Sequence, residues 1–546
     1  MNTLLAVAAA ALATAMPEHA HDQSPQLGNV SFESTCSRPA HAHLEAGLRW
    51  LHSFEYQEAE RSFSRAAALD ADCAIANWGV AMSNYHPLWA APTPGELAKG
   101  KSAIEKATQG GAKSQRERDY IAALQIFYRD SERLDHKTRA LAYAAAAEQL
   151  HSDYPQDNEA ALFHALSLIA VGTMDKDAAY SKEKQAAAIL NRVMAANPDH
   201  PGVTHYLIHS FDYPPLAELA LPAARRYAKI APDSAHAQHM PSHIFTRLGL
   251  WDEAISSNRA AEAAARAHAT SMGMAGAWDQ RLHAMDYLTY AYLQTGRDDE
   301  ALKVFDELKL ISQADPPSPT VAYAVTAIPA RVLLERRQWT EAAAFDLPAS
   351  LSRLAALSNH QWAIANVHFA KAVGAARAGK LDVARIALAE LAAIEQRLTI
   401  APGEYDWRTQ VSIERQIADA WIAYANGNKE EAARLMRAAA NLDDATEKHP
   451  VTPGAILPAR EQLGELLLEL GRPADALAEY EASLKRAPRR LIGLWGAAQA
   501  AKLSGDTKKA GAYYAELAKM TDASDGRRPE VRDARVFASS LAQVQH

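Results

Sequence analysis

The chain has 546 residues, a formal net charge of −8 and two cysteines. Hydrophobic residues make up 49% and aromatics 7%, with alanine prominent, a mixture that suits closely packed helices because alanine is the best helix former. The basic residues are scattered, without the stripe a nucleic-acid partner requires. Past the N-terminus no apolar run reaches the roughly 18 residues of a membrane span, so the mature chain is expected to be soluble.

In chain order, residues 1–16 read as a cleaved export signal. Leu4 to Ala15 is an apolar and small-residue run closed by Ala13-Thr14-Ala15, although no basic residue precedes it. This predicts a periplasmic or secreted protein. Residues 17–38 read as an irregular lead-in. Cys36 and Cys73 bracket a helical hairpin whose outer ends lie side by side. An oxidising compartment would then join them in a disulfide.

Residues 39–112 form the N-terminal repeat units, beginning with AHAHLEAGLRWLHSFEYQEAERSFSRAAALDADCA. The next helix must stop before Pro87, and a rigid loop starting at Trp89 follows. Residues 113–310 form central units and 311–520 a C-terminal set. A turn anchor recurs through them as Gly249…Ala254, Gly296…Ala301, Arg337…Ala342, Gly379…Ala384, Gly427…Ala432, Gly471…Ala476 and Gly505…Ala510. Residues 521–546 read as a polar, frayed tail.

The most informative stretch is 200–243. His205 and His239 are 34 residues apart, as are His209 and His243, and Pro198 and Pro232. A period of 34 is that of the tetratricopeptide repeat, a helical hairpin that buries its apolar faces only by stacking. The chain resembles this family, and in particular exported bacterial tetratricopeptide proteins with HSFEY, HPLW and HMPSHIF segments, here beginning at His52, His86 and His239. The resemblance implies an all-α solenoid. It also implies that the first helix of each repeat lines a concave groove through its second, fifth, ninth, twelfth and thirteenth residues. On that alignment His236, His239 and His243 face the groove, with His205 and His209 from the unit before and His283, Asp286 and Tyr290 from the unit after. His41, His52 and His86 make a weaker second group.

Imidazoles at i and i+4 share a helix face, and neutral imidazole ligates zinc, copper and iron. The cluster His205, His209, His236, His239, His243, His283 and Asp286 is therefore expected to hold one or two transition-metal ions, with affinity falling below about pH 6 as the rings protonate. It is not a metalloprotease helix, because Tyr206 and Met240 stand where that motif needs glutamate. Pro241 raises a difficulty: if a helix starts there, His239 and His243 do not share a face. Lone histidines such as His164, His268, His360, His368 and His449 read as structural. Three functions stay open. One is a solenoid that binds a peptide or protein partner in a groove carrying a metal site; another is a copper or iron oxidoreductase at the same cluster; the last is a metal-free interaction scaffold.

Overall fold

The computed structural model describes residues 25–544 except 89, 90, 176 and 359. The export-signal reading lies outside these residues, as does Trp89 of the rigid loop. Among the described residues the protein is all-α, a tetratricopeptide-type solenoid. Strand is confined to a parallel bridge of Ala277–Trp278 with Ala314–Asp315. No helix of the described residues is long and apolar enough to cross a membrane.

The first repeat shows why these residues stack. Helix Arg38–His52 turns Ala40, Leu44, Leu48 and Leu51 inward, and helix Tyr56–Leu69 answers with Ala59, Phe63 and Ala66. This is the i, i+4 spacing of one buried stripe. The Phe63 ring fills the space beside two glycines. A Cβ on Gly47 or Gly79 would sit 2.6 or 2.3 Å from it. Tyr480 repeats the arrangement between Gly464 and Gly496 near the far end. The turn anchors work through the backbone: Gly249, Gly296, Gly379, Gly427, Gly471 and Gly505 all have positive φ, the left-handed region that glycine enters without strain. In the remaining unit Arg337 takes that conformation at φ 55.

The disulfide Cys36–Cys73 is present, with Cα atoms 4.7 Å apart. The tail is not frayed: Pro529–Val544 is a helix. Val531 and Ala534 are buried in the core, and Arg528 forms a buried ion pair with Asp298 at 2.8 Å. Apolar spacing outweighs the polar composition of that stretch.

The solenoid's inner face is filled rather than open. One core contains Phe54 of the first repeat, Tyr206, Ile244, Leu288 and Leu491. Arg490 is fully buried between Glu335 and Glu461 and donates to the Tyr290 hydroxyl. The segment from 445 to 458 runs inward between helices Lys429–Asp444 and Ala459–Glu469, with Val451, Ile456 and Leu457 buried. Arg490 and this segment reach the groove-facing Tyr290 and Tyr287.

Candidate metal centre

Three helical segments carry the histidines. Helix Pro201–Phe211 holds His205 and His209 one turn apart; its cap is His200, whose Nδ1 accepts from the Gly202 amide. Helix Ala235–His239 is capped by the Ser234 hydroxyl and passes through Met240, at φ −53 and ψ −36, into helix Pro241–Arg247. Pro241 therefore takes a first-turn position, where its missing N–H is least costly, while Met240 keeps the chain winding. His239 and His243 do face each other, with Nε2 atoms 3.0 Å apart. Helix Asp279–Gln294 supplies His283.

The structure sorts six histidines into two adjacent triads, His205/His209/His236 and His239/His243/His283, each with ligand atoms within 4.8 Å of one another. In the first, the Nε2 of His205 lies 3.1 Å from that of His209 and 3.2 Å from that of His236. The rings of His209 and His243 are 6.3 Å apart, and those of His236 and His239 6.2 Å, so the triads abut.

The opposite ring nitrogens decide what these atoms can be. His205 Nδ1–H donates to the His52 carbonyl at 2.6 Å. His243 Nδ1–H donates to Asp212 at 2.9 Å. Burial alone would raise the Asp212 carboxyl; Lys448, Arg247 and His243 hold it well below the usual range, so it is an acceptor. His239 Nδ1 meets Asn258 Oδ1 at 2.6 Å, and the Asn258 amide nitrogen is already committed to the Ala254 carbonyl, so His239 is again the donor. His236 Nδ1 lies 3.4 Å from Gln280 Oε1. A neutral ring that donates from Nδ1 offers a bare lone pair at Nε2. Such second partners fix the tautomer and orientation of ligating histidines.

Burial keeps the rings neutral. Desolvation lowers His205, His236, His239 and His283 well below the ordinary imidazole range and His209 to about 3. It also lowers His243, which Asp212 partly restores. Competition from protons, expected below about pH 6, is thus displaced to lower pH. Phe54 roofs the first triad, its ring 4.3 Å from His205 and 5.4 Å from His209. Tyr287, one turn after His283, places its hydroxyl 3.3 Å from His243 Nε2.

Not every expected residue joins. Asp286 lies outside both triads, paired with Arg331 at 3.3 Å, its carboxyl raised by burial to about 6. Tyr290 turns to Arg490. His41, His52 and His86 do not assemble. His41 bonds Ser34 and His86 donates to the Ser83 carbonyl. His52 lies in a buried third group with His200 and Glu159. There His52 and His200 clamp the two Glu159 oxygens at 2.7 and 2.8 Å, and the remaining nitrogens meet Tyr206 and Gly202. With all four ring nitrogens engaged, this group fits a structural network better than an ion. It fixes the turn whose His52 carbonyl receives His205.

Asp212, Asn258, Glu159, His200 and Tyr287 escaped the sequence reading. Tyr287 had a signal, its i+4 spacing from His283; Asn258 had none. The HSFEY segment meets the start of helix Ala235–His239 here. Glu55, raised to about 7 by burial against the bonds it accepts, takes the His236 amide and the Ser234 hydroxyl.

No protein-family model matches this sequence, and no curated protein does. Among solved structures the chain is similar to yeast Tom70 at 14% identity, over 93% of this chain and 96% of that one, TM-score 0.35. It is also similar to the human IFIT1 dimer with m7Gppp-AAAA (13% identity, 82% and 90%, TM-score 0.37) and to the P58(IPK) TPR domain (13%, 68% and 97%, TM-score 0.21). Overlaps this loose say nothing of function, and the metal-site reading rests on the side chains alone.

Proposed function

We propose that this protein is a metal-dependent enzyme whose centre holds two first-row transition-metal ions. His205, His209 and His236 hold one, and His239, His243 and His283 hold the other. One observation carries the reading. His239 and His243 each donate from Nδ1 and are held neutral by burial, yet their Nε2 lone pairs point at each other across 3.0 Å. Two acceptors at that distance repel unless a cation lies between them. Tetrahedral ligation at about 2.0–2.1 Å places imidazole nitrogens roughly this far apart.

The donor set, all imidazole with no thiolate, suits zinc, copper or iron. Structural zinc sites are closed by four ligands, whereas three protein ligands leave an exchangeable position. That favours catalysis over a purely structural ion. When bound, such ions supply Lewis acidity, and copper or iron would supply electron transfer too. The chain's own contribution is orientation through Asp212, Asn258 and the His52 carbonyl, and exclusion of water by Phe54. The alternative of a partner bound in an open groove over these histidines is less favoured, because five of the six rings are at most 2% exposed. Export to an oxidising compartment is part of the proposal, supported by the Cys36–Cys73 bridge. A mature N-terminus still beginning at Met1 would count against it.

The test is metal analysis of tag-free protein from its native host, then of variants reloaded after chelation. Close to two equivalents are expected, with most lost in the His209→Ala, His243→Ala double variant at unchanged helicity. Two equivalents retained in that variant would end the proposal.

A further inference from the structure

A second site lies among the C-terminal repeats. A cavity of about 110 Å³ opens between helices Gln361–Arg377 and Trp407–Ala425 and the inward segment 445–458. This is well below the roughly 300–1,000 Å³ of pockets for drug-sized ligands, so it has room for a group of a few heavy atoms. One wall is aromatic. Trp362 and Trp407 stack face to face at 3.6 Å, with Tyr405 edge-on to Trp407 at 4.8 Å and Tyr323 6.2 Å from Trp362. Glu414 and Asp443 line the same cavity. Glu414 is only 5% exposed, and its Oε2 has no hydrogen-bond partner. An unpartnered buried carboxyl is costly, and burial drives Glu414 up to about 8 and Asp443 up to about 6.

The arginines on the cavity wall are already engaged, whereas the Lys448 ammonium has no hydrogen-bond partner. Arg247 holds Asp212, Arg460 holds Asp444 and Glu479, and Arg486 donates to the Asp444 carbonyl. Lys448 has slack, 3.6 Å from Asp212. Arg331, whose charge opposes the rise at Glu414, is committed to Asp286 and to the Gly454 and Ala455 carbonyls. None of these cations donates a hydrogen bond to Glu414 Oε2.

We propose that this cavity binds a small alkylammonium group, its charge on Glu414 and Asp443 and its methylenes against the Trp407 and Tyr405 rings. Aromatic faces attract such cations, and the paired ammonium would hold Glu414 ionised. A free amine and a lysine side chain of a partner share this chemistry. The site needs no metal, although its wall shares Arg247 and Lys448 with Asp212 of the histidine centre.

The test is calorimetric titration of the full-length protein with n-butylammonium, butyrate, n-butanol and an Nα-acetyl-lysine amide. The ammonium should bind at least tenfold more tightly than butyrate or butanol, and equally well after chelator treatment. Glu414→Gln and Trp407→Leu should each weaken it at least tenfold. Tighter binding of the lysine amide would identify a partner's side chain as the source, and tighter binding of butylammonium a free amine. Butyrate binding as tightly as the ammonium, no binding of either cation, or undiminished binding in Glu414→Gln would overturn the proposal.

Discussion

At the level of single residues, the histidine centre depends on partners that touch no ion. Asp212 fixes the proton of His243 on Nδ1, so Asp212→Asn should lower metal affinity at the second triad by about 10–100-fold and leave the first nearly unchanged. Competition with a chelator of known affinity would show it. Equal loss at both triads would mean the carboxylate acts on the fold and not on its ring. Glu414 allows a pH prediction with a definite sign. It keeps its proton to about pH 8 in the folded chain, against about 4.3 in an unfolded one. Stability from this group is fully present below the unfolded value and declines as pH rises through 8. In the absence of ligand, Glu414→Gln should therefore match the wild type near pH 5 and exceed it at pH 8 by roughly 1–3 kcal/mol, a span typical of single substitutions. Denaturant midpoints at the two pH values decide it. A variant less stable at pH 8 would mean the carboxyl has a partner.

At the level of elements, the repeat is set by close approach at glycine. A Cβ at Gly79 would lie 2.3 Å from the Phe63 ring, which is wedged between helices and has nowhere to go. Gly79→Ala should cost about 1–3 kcal/mol by overpacking, read as a lowered denaturant midpoint at unchanged slope. A neutral result would show that the two helices can part. This much was legible in the sequence: apolar residues at i and i+4, glycine or a substitute at each turn, and a helix stop before Pro87. The Met240–Pro241 junction was not. Whether a proline ends a helix or begins the next turn of one depends on the φ and ψ of the residue before it, and here packing on both sides holds Met240 helical.

At the level of the whole molecule, the first and last described segments pack back on its middle. The Cys36–Cys73 bridge has a sequence separation of 37; reducing it should lower stability by about 3–4 kcal/mol on the chain-entropy estimate. Thermal melts with and without reductant provide the measurement, and unchanged melting would mean the reduced unfolded chain stays compact. The terminal helix should matter as much. Removing residues from 528 onward uncovers Asp298 and strips Val531 and Ala534 from the core, so the truncated chain is expected to unfold earlier. If it melted like the full chain, the helix would be an appendage.

The sequence by itself determined the all-helical stack, the hairpin that brings the cysteines together, and the histidines worth watching. Each follows from spacing along the chain, which helix geometry converts directly into a face or an end. Only the tertiary structure decided that six histidines divide three and three, that Asp286 belongs to Arg331, and that His52 belongs to Glu159 and His200. It also placed Asp212 and Asn258 behind the rings and buried five of the six rings. Those outcomes depend on the curvature summed over many repeats, and on residues up to 240 positions apart meeting. A small rotation per repeat sets that curvature, and a one-dimensional pattern carries no record of it.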